Sequence, residues 1–452
     1  MTSQSGRDML APLLLVRLPP LCNHPAMRIT AGLAVGAAMA GLLAAWPQPA
    51  AAAPASHTAP AAAGWHATEV HVPSGGSSGI LYGIACRGTS CVAGGSYFRK
   101  PAGELPMISA ESAGRWGTAT KIRLPANARP TVGSAVIASI SCPAATSCVA
   151  VGNYLTATSL AGLITTGHAT AWSAATAPTL PSGAAAVPDA YLTGVSCTSP
   201  GSCVAVGGYT NRGQNEEAMA VTQAGGHWRR AVAIKPPSNA DANPAAHFSG
   251  VSCPKAGYCV AVGAFTTKAL DEEVMVAAEV RGRWGRAVQV PMPANAAVEP
   301  VAELYSVSCT STRDCVATGS YSDNQSRGYP LIETYSRGHW AAAGFTRLPS
   351  GAEHTNQFAT LNGVSCTAHG CTAAGSYENA QGVAAAMVVV ETDGRWGSAV
   401  QIKLPKGAAS GTVQNATLFA IACRSTSACT AVGSYVGVAD ADATEAMAVT
   451  RS

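Results

Sequence analysis

Charge is scarce in this chain. Only 12% of its 452 residues are Asp, Glu, Lys or Arg, the net charge is +4, and no block of like charges occurs. Neutralising phosphates takes clustered Lys and Arg, so nucleic acid and anionic membrane surfaces are not expected partners. Aromatic residues are few, at 6%. Catalytic strings are missing as well: there is no His-Glu-x-x-His, Gly-x-Ser-x-Gly, phosphate loop, EF-hand loop or Ser-x-Asp-x-Gly-x-x-Trp. Their absence weighs against an enzyme without closing the question, because a site assembled from single residues of several repeats leaves no string. The apolar run at 31–45 has 15 residues, short of the roughly 20 that span a bilayer. With Arg28 before it and Ala51, Ala52 and Ala53 after it, the run has the form of a signal peptide. Residues 1–53 are read as a leader, with Met27 as an alternative start and an uncleaved anchor as the alternative fate. Residues 54–63 are an Ala/Pro linker.

What is present is a repeat. The stretch Val195-Ser196-Cys197 to Val206-Gly207 recurs seven times, with first cysteines at Cys86, Cys142, Cys197, Cys253, Cys309, Cys366 and Cys423. A second cysteine follows each five or six positions on: Cys91, Cys148, Cys203, Cys259, Cys315, Cys371 and Cys429. Seven of the eight Trp keep the same rhythm: Trp65, Trp116, Trp172, Trp228, Trp284, Trp340 and Trp396. A fixed period of this size marks a repeat architecture.

Each unit reads as four strands. One ends at the first cysteine, the second starts at the second cysteine with alternating valines, the third carries Met or a neighbour, and the fourth carries Trp. A glycine two residues before Trp, as in Gly114 and Gly394, supplies the turn that joins strands three and four. Pro after the fourth strand ends it. Four short antiparallel strands, repeated radially, describe a β-propeller blade. The last unit ends without a Trp strand and the Trp65 strand stands alone at the front. The expected fold is therefore an all-β, seven-bladed propeller over 64–452, with the N-terminal strand completing the last blade.

The strings around Cys148 to Tyr154 and Cys203 to Tyr209 resemble those of secreted repeat proteins of high-GC bacteria that carry SCxxxxxCVAVGxY. That resemblance covers 64–452 and implies a fold and an extracellular compartment, with no activity attached. A weaker likeness to Kelch and galactose-oxidase propellers rests on Gly94-Gly95 and Gly207-Gly208. It departs in the spacing to Tyr, so no function is carried over.

Each cysteine pair flanks a four- or five-residue turn, which brings cross-strand neighbours to disulfide distance. Seven disulfides in an extracellular chain are the expectation, and no histidine recurs beside the pairs to complete a zinc site. No cofactor or metal is expected, and a monomer is.

Repeated acids are first given structural roles. Glu217, Glu273 and Glu445 are read as solvated strand starts. Glu111, Glu279 and Glu391 are read as pairing across a hairpin with Arg115, Arg283 and Arg395. Polar residues peculiar to one blade remain, in the long loops that share a face of the ring. They are Arg99, Lys100, Asn211, Arg212, Gln214, His247, Asp323, Asn324, Arg327, Tyr329, His354 and Asn356, with Glu299 and Glu303 nearby. Loops on a rigid scaffold are where function sits, and amide, aromatic and Arg side chains suit sugars or peptides. The residue four before each first cysteine varies (Tyr82, Ala138, Thr193, Ser249, Tyr305, Asn362, Phe419) and is assigned to core packing, with the channel mouth as the alternative. The expected function is a non-catalytic extracellular module binding a carbohydrate or protein. The alternatives are a polysaccharide hydrolase or lyase with its site at the channel mouth, and a structural surface protein.

Overall fold

The computed structural model describes residues 64–129, 133–343, 347–355, 357–438 and 443–451. The leader, the linker and Asn356 lie outside the described residues. Seven antiparallel sheets follow one another in chain order. Blade three shows the plan: an inner strand Ala190–Ser199, a second strand Ser202–Thr210, a third Glu216–Ala224 and a short outer piece His227–Trp228. The inner strands Ser78–Arg87, Ala135–Ala144, Ala190–Ser199, His247–Lys255, Ala302–Cys309, Ala359–Thr367 and Ala416–Ser425 each adjoin the next, and the seventh adjoins the first.

The last blade consists of Ala416–Ser425, Ala428–Val436, Thr444–Arg451 and, from the front of the chain, Trp65–Glu69. Trp65 pairs with Arg451 and Glu69 with Met447, and the Arg451 guanidinium lies 6.0 Å from the Trp65 ring centre. The protein is thus an all-β, seven-bladed propeller closed by its own N-terminal strand. Among the described residues no helix is long and apolar enough to cross a membrane.

The core is divided among the seven blade interfaces. The interface of blades seven and one joins Val432, Ala446 and Ala448 to Leu81, Ile84 and Met107, so the closing junction is packed like the others. Burial of such methyl-rich faces is the main stabilising term.

Three repeated features acquire physical reasons. The turn before Trp has two consecutive residues at positive φ, for example Ala113 at 52° and Gly114 at 78°, the geometry of the tightest two-residue hairpins. The outer strand is broken: the pairing slips by one residue between Trp116, opposite Glu111, and Lys121, opposite Met107. The glycine ending Val-Ala-Val-Gly faces an inner-strand bulge. A Cβ on Gly207 would lie 2.0 Å from the carbonyl oxygen of Tyr191, so only glycine fits.

The serine before the first cysteine locks adjacent blades together. Ser141 Oγ accepts the Cys197 amide, Ser196 that of Cys253, Ser252 that of Cys309, Ser308 that of Cys366 and Ser365 that of Cys423, at 2.9 to 3.0 Å. Each bond satisfies an inner-edge N–H that no strand covers. Blades one and seven carry Ala85 and Ala422 at this position. Seven disulfides join the paired cysteines from Cys86–Cys91 to Cys423–Cys429.

The acids behave differently from the sequence reading. Glu111 does not pair with Arg115: its carboxylate accepts the amides of Cys91 at 3.2 Å and Gly114 at 2.6 Å. Glu391 takes the amides of Cys371 and Gly394 in the same way. A backbone N–H that needs an acceptor competes better for these oxygens than an exposed Arg does. Glu217 is not solvated either. It accepts Tyr209 OH at 2.6 Å and Asn211 Nδ2 at 2.7 Å, which anchors the tyrosine near the end of the second strand.

Candidate functional site

The inner strands begin on the face that also carries the loops after the second strands. Within the first three residues of each inner strand, six before the first cysteine, stand Ile80, Val136, Tyr191, His247, Glu303, Thr360 and Thr417. Blades three, four and five therefore put three ionisable side chains at one level of the ring. The other four blades form the same fold with aliphatic or threonine residues there.

These three side chains are tied into one network. His247 Nε2 lies 3.2 Å from Glu303 Oε1, and Nδ1 lies 3.3 Å from the Ala245 carbonyl oxygen. Both neighbours are acceptors, so both ring nitrogens carry protons and the ring is an imidazolium. Burial alone would lower the His247 pKa. The hydrogen bond and charge of Glu303, with the charge of Glu216, outweigh burial and raise it to about 9. Ser249 Oγ donates to the same Glu303 oxygen at 2.6 Å. On blade three, Tyr191 OH donates to Glu216 Oε1. Burial, then Glu216 and Glu303, push the Tyr191 pKa well up, so the phenol keeps its proton. Gly208 makes this pair fit: a Cβ there would lie 2.7 Å from the Tyr191 hydroxyl and 3.1 Å from Glu216 Oε1. The adjacent glycines of the sequence thus have separate uses, Gly207 for the bulge and Gly208 for the Tyr191–Glu216 pair. Glu272 completes the group from blade four. Burial, then the charge of Glu303, raise its pKa.

The bulged residue of each inner strand, four before the first cysteine, adds buried or half-buried groups beside this level. Tyr82 and Phe419 meet with ring centres 5.2 Å apart, Thr193 Oγ1 donates 3.2 Å to the Val206 carbonyl, Asn362 Nδ2 donates 2.9 Å to the Leu418 carbonyl of the next blade, and the hydroxyls of Tyr305 and Ser320 are 2.9 Å apart. These are contacts between and within blades, in keeping with the packing reading of this position.

The loop residues singled out by sequence separate into turn builders and exposed side chains. Asn211 Oδ1 accepts the amides of Gly213 and Asn215, and Asp323 Oδ1 accepts those of Gln325 and Arg327. Thr156, Thr267 and Asn379 play the same part in their blades, so this is a turn motif of the repeat. Burial opposes ionisation of Asp323, but hydrogen bonds from Arg327 and the turn amides hold its pKa below the usual range. Arg327 is 2.6 Å from Asp323 and lies over the Tyr329 ring, and Tyr329 stacks on Tyr321 at 5.6 Å. Arg212 donates to the Ser182 carbonyl, Asn324 accepts the Val298 amide, and Gln214 sits at φ 63° within the turn. Arg99, Lys100 and His354 are exposed. His247 is not a loop residue: it opens an inner strand and is 5% exposed. Of the loop set, the structure brings His247 together with Glu303 and, separately, Asp323 with Arg327 and Tyr329. Sequence reading missed Tyr191, Glu216 and Glu272. Comparing the seven repeats six residues before the cysteine, instead of four, displays Tyr-His-Glu at once.

Large apolar side chains are exposed on this face too. Val187, Leu270, Val298, Phe358, Val413 and Val438 lie in its loops, whereas Val232, Val280 and Val288 lie elsewhere, on or next to the outer strands. Among the described residues no group of His, Cys, Asp and Glu is arranged to hold a metal ion.

No family model matches the chain, and no curated protein matches it. Solved structures similar to it include a sialidase from Trypanosoma rangeli, 10% identical with a TM-score of 0.46, matched over 86% of this chain and 59% of that one. A polysaccharide lyase, an ulvan lyase, is 8% identical with a TM-score of 0.48, over 82% and 92%. A protein of unknown function from Dyadobacter fermentans is 10% identical with a TM-score of 0.45, over 86% and 99%. The chain spans 59% of the length of the sialidase it matches.

Proposed function

We propose that this protein is an extracellular binding module that holds a carbohydrate at the ring mouth, over blades three to five. One observation carries the reading. Burying ionisable groups is unfavourable unless they are paired, and four blades fold with Ile80, Val136, Thr360 and Thr417 where blades three, four and five place Tyr191, His247 and Glu303. Folding does not ask for that substitution, so a ligand is the reason for it. Hydroxyls and carboxylates without a Lys or Arg in the network suit the hydroxyl groups of an uncharged sugar. The exposed apolar residues on the same face supply surfaces for its rings. Seven disulfides fit an oxidising, extracellular setting.

Binding is favoured over turnover because His247 has both N–H groups engaged inside the protein. A second reading, a hydrolase or lyase, is favoured by one contact, the Tyr191 phenol held on the Glu216 carboxylate. A glycan array with the purified protein tests both. Retention of an uncharged glycan, lost in Tyr191→Phe with Glu272→Gln, supports the module. Released oligosaccharide replaces it with the enzyme, and retention that ignores those substitutions removes the mouth from the account.

A further inference from the structure

We propose a second ligand site, for an anionic oligosaccharide, in the groove between blades three and four at the disulfide end of the sheets, on the opposite side from the mouth. The groove has a volume of about 820 Å³, within the range of ligand clefts. Its floor holds three polar atoms that are shut off from solvent and have no hydrogen-bond partner among the described residues: Gln223 Oε1, Glu279 Oε2 and Trp284 Nε1. Gln223 is 6% exposed and Glu279 4%. Such atoms are rare in folded proteins and call for a partner.

The repeat supplies its own control. Glu111 and Glu391 occupy the register of Glu279, and each has both carboxylate oxygens satisfied by backbone amides. Gln223 holds the same register in blade three and spends only its amide nitrogen, on the Gly226 carbonyl. Of the four blades with a Glu or Gln at this register, the two that border this groove leave an oxygen of that residue without a partner among the described residues. Turning these side chains toward the groove lets sugar hydroxyls donate to such oxygens and accept from the Trp284 indole.

The rim adds charge of one sign. Arg229, Lys235 and Arg283 line the groove, are exposed, and form no ion pair or side-chain hydrogen bond among the described residues. Arg286 also lines it and holds the Pro236 carbonyl across this junction at 2.6 Å, whereas Arg230 lines it but donates to the Leu180 carbonyl at the junction of blades two and three, at 2.8 Å. Cations around a floor of hydroxyl-seeking groups fit a chain that is both hydroxylated and anionic, with its carboxylate, sulfate or phosphate groups on the rim.

The test titrates the full chain with oligogalacturonate, a sulfated dextran and inorganic phosphate, against unmodified dextran. The expected result is binding of an anionic oligosaccharide that is weakened at least tenfold by Arg229→Ala with Arg283→Ala, and again by Trp284→Phe. Arg395→Ala, on blade six, and Glu272→Gln, at the mouth, leave it unchanged, which separates this site from the first. Preference between carboxylated and sulfated chains identifies the anion. Phosphate binding as well as the polymers do, dextran binding equally, indifference to the rim substitutions, or no anionic ligand binding (the groove then holding water alone) would each overturn the proposal.

Discussion

Glu333 offers a quantitative test of how these blades pack. Its carboxyl is 0% exposed and neither oxygen has a hydrogen-bond partner among the described residues. It lies on the third strand of blade five, opposite Ala317, in the same alternation as Leu331, which packs against Val262, Val274 and Val276 of blade four. Burial raises its pKa from 4.5 to about 8. The sign follows from linkage: unfolding restores the ordinary value, so the folded protein binds a proton that the unfolded chain has lost over this window. Stability is fully present below pH 4.5, falls as pH rises, and levels off above pH 8. At 1.36 kcal/mol per pH unit, the gap corresponds to on the order of 5 kcal/mol. Blades three, six and seven carry Val221, Val389 and Val449 at this register, so Glu333→Val is a substitution the fold already accepts. Urea unfolding of both proteins from pH 4.5 to 9, disulfides intact, reads the difference. The valine variant should gain on the parent steadily between pH 5 and pH 8, by a few kcal/mol in all. A difference that stays constant across that range refutes the buried neutral acid.

Other outcomes follow from the mouth and the blade locks. Glu303→Gln removes the partner that keeps His247 charged, so it should lose about 3–5 kcal/mol near pH 6. Because the His247 pKa is raised from 6.5 to about 9, the parent's advantage is complete below pH 6.5 and lost as pH climbs through 9, shrinking by on the order of 3 kcal/mol. Unfolding curves at pH 6 and pH 10 check this. Ser252→Ala should cost about 0.5–1.5 kcal/mol by freeing the Cys309 amide. Ala422→Ser should gain a similar amount if its hydroxyl reaches the Cys86 amide, and differential scanning calorimetry compares the two.

The fold was legible because each blade repeats the same strand, turn and cysteine signals, and because the unpaired Trp65 strand matched the strand missing from the last unit. The mouth was legible only in part. His247 and Glu303 drew notice as polar exceptions, but their loop placement was wrong, since strand onset is set by pairing with Ala264 and Ser320 rather than by local composition. Tyr191 and Glu216 escaped because a tyrosine and a glutamate are ordinary in strands. Their pairing depends on the missing side chain of Gly208, which only three-dimensional register exposes. Asn211 and Asp323 drew attention for the opposite reason: residues that cap turns look like residues that meet ligands.

Closure of the ring by the front of the chain is the claim on which both sites depend, since it fixes the spacing of the blades. Amide hydrogen exchange across Thr444–Arg451, in the full chain and in a variant lacking residues 65–69, tests it most directly. Pairing of Trp65 with Arg451 through Glu69 with Met447 predicts strong protection in the full chain, loss of protection on the outward edge of that strand in the variant, and a lower melting temperature. Equal protection and equal melting in the two proteins would contradict it.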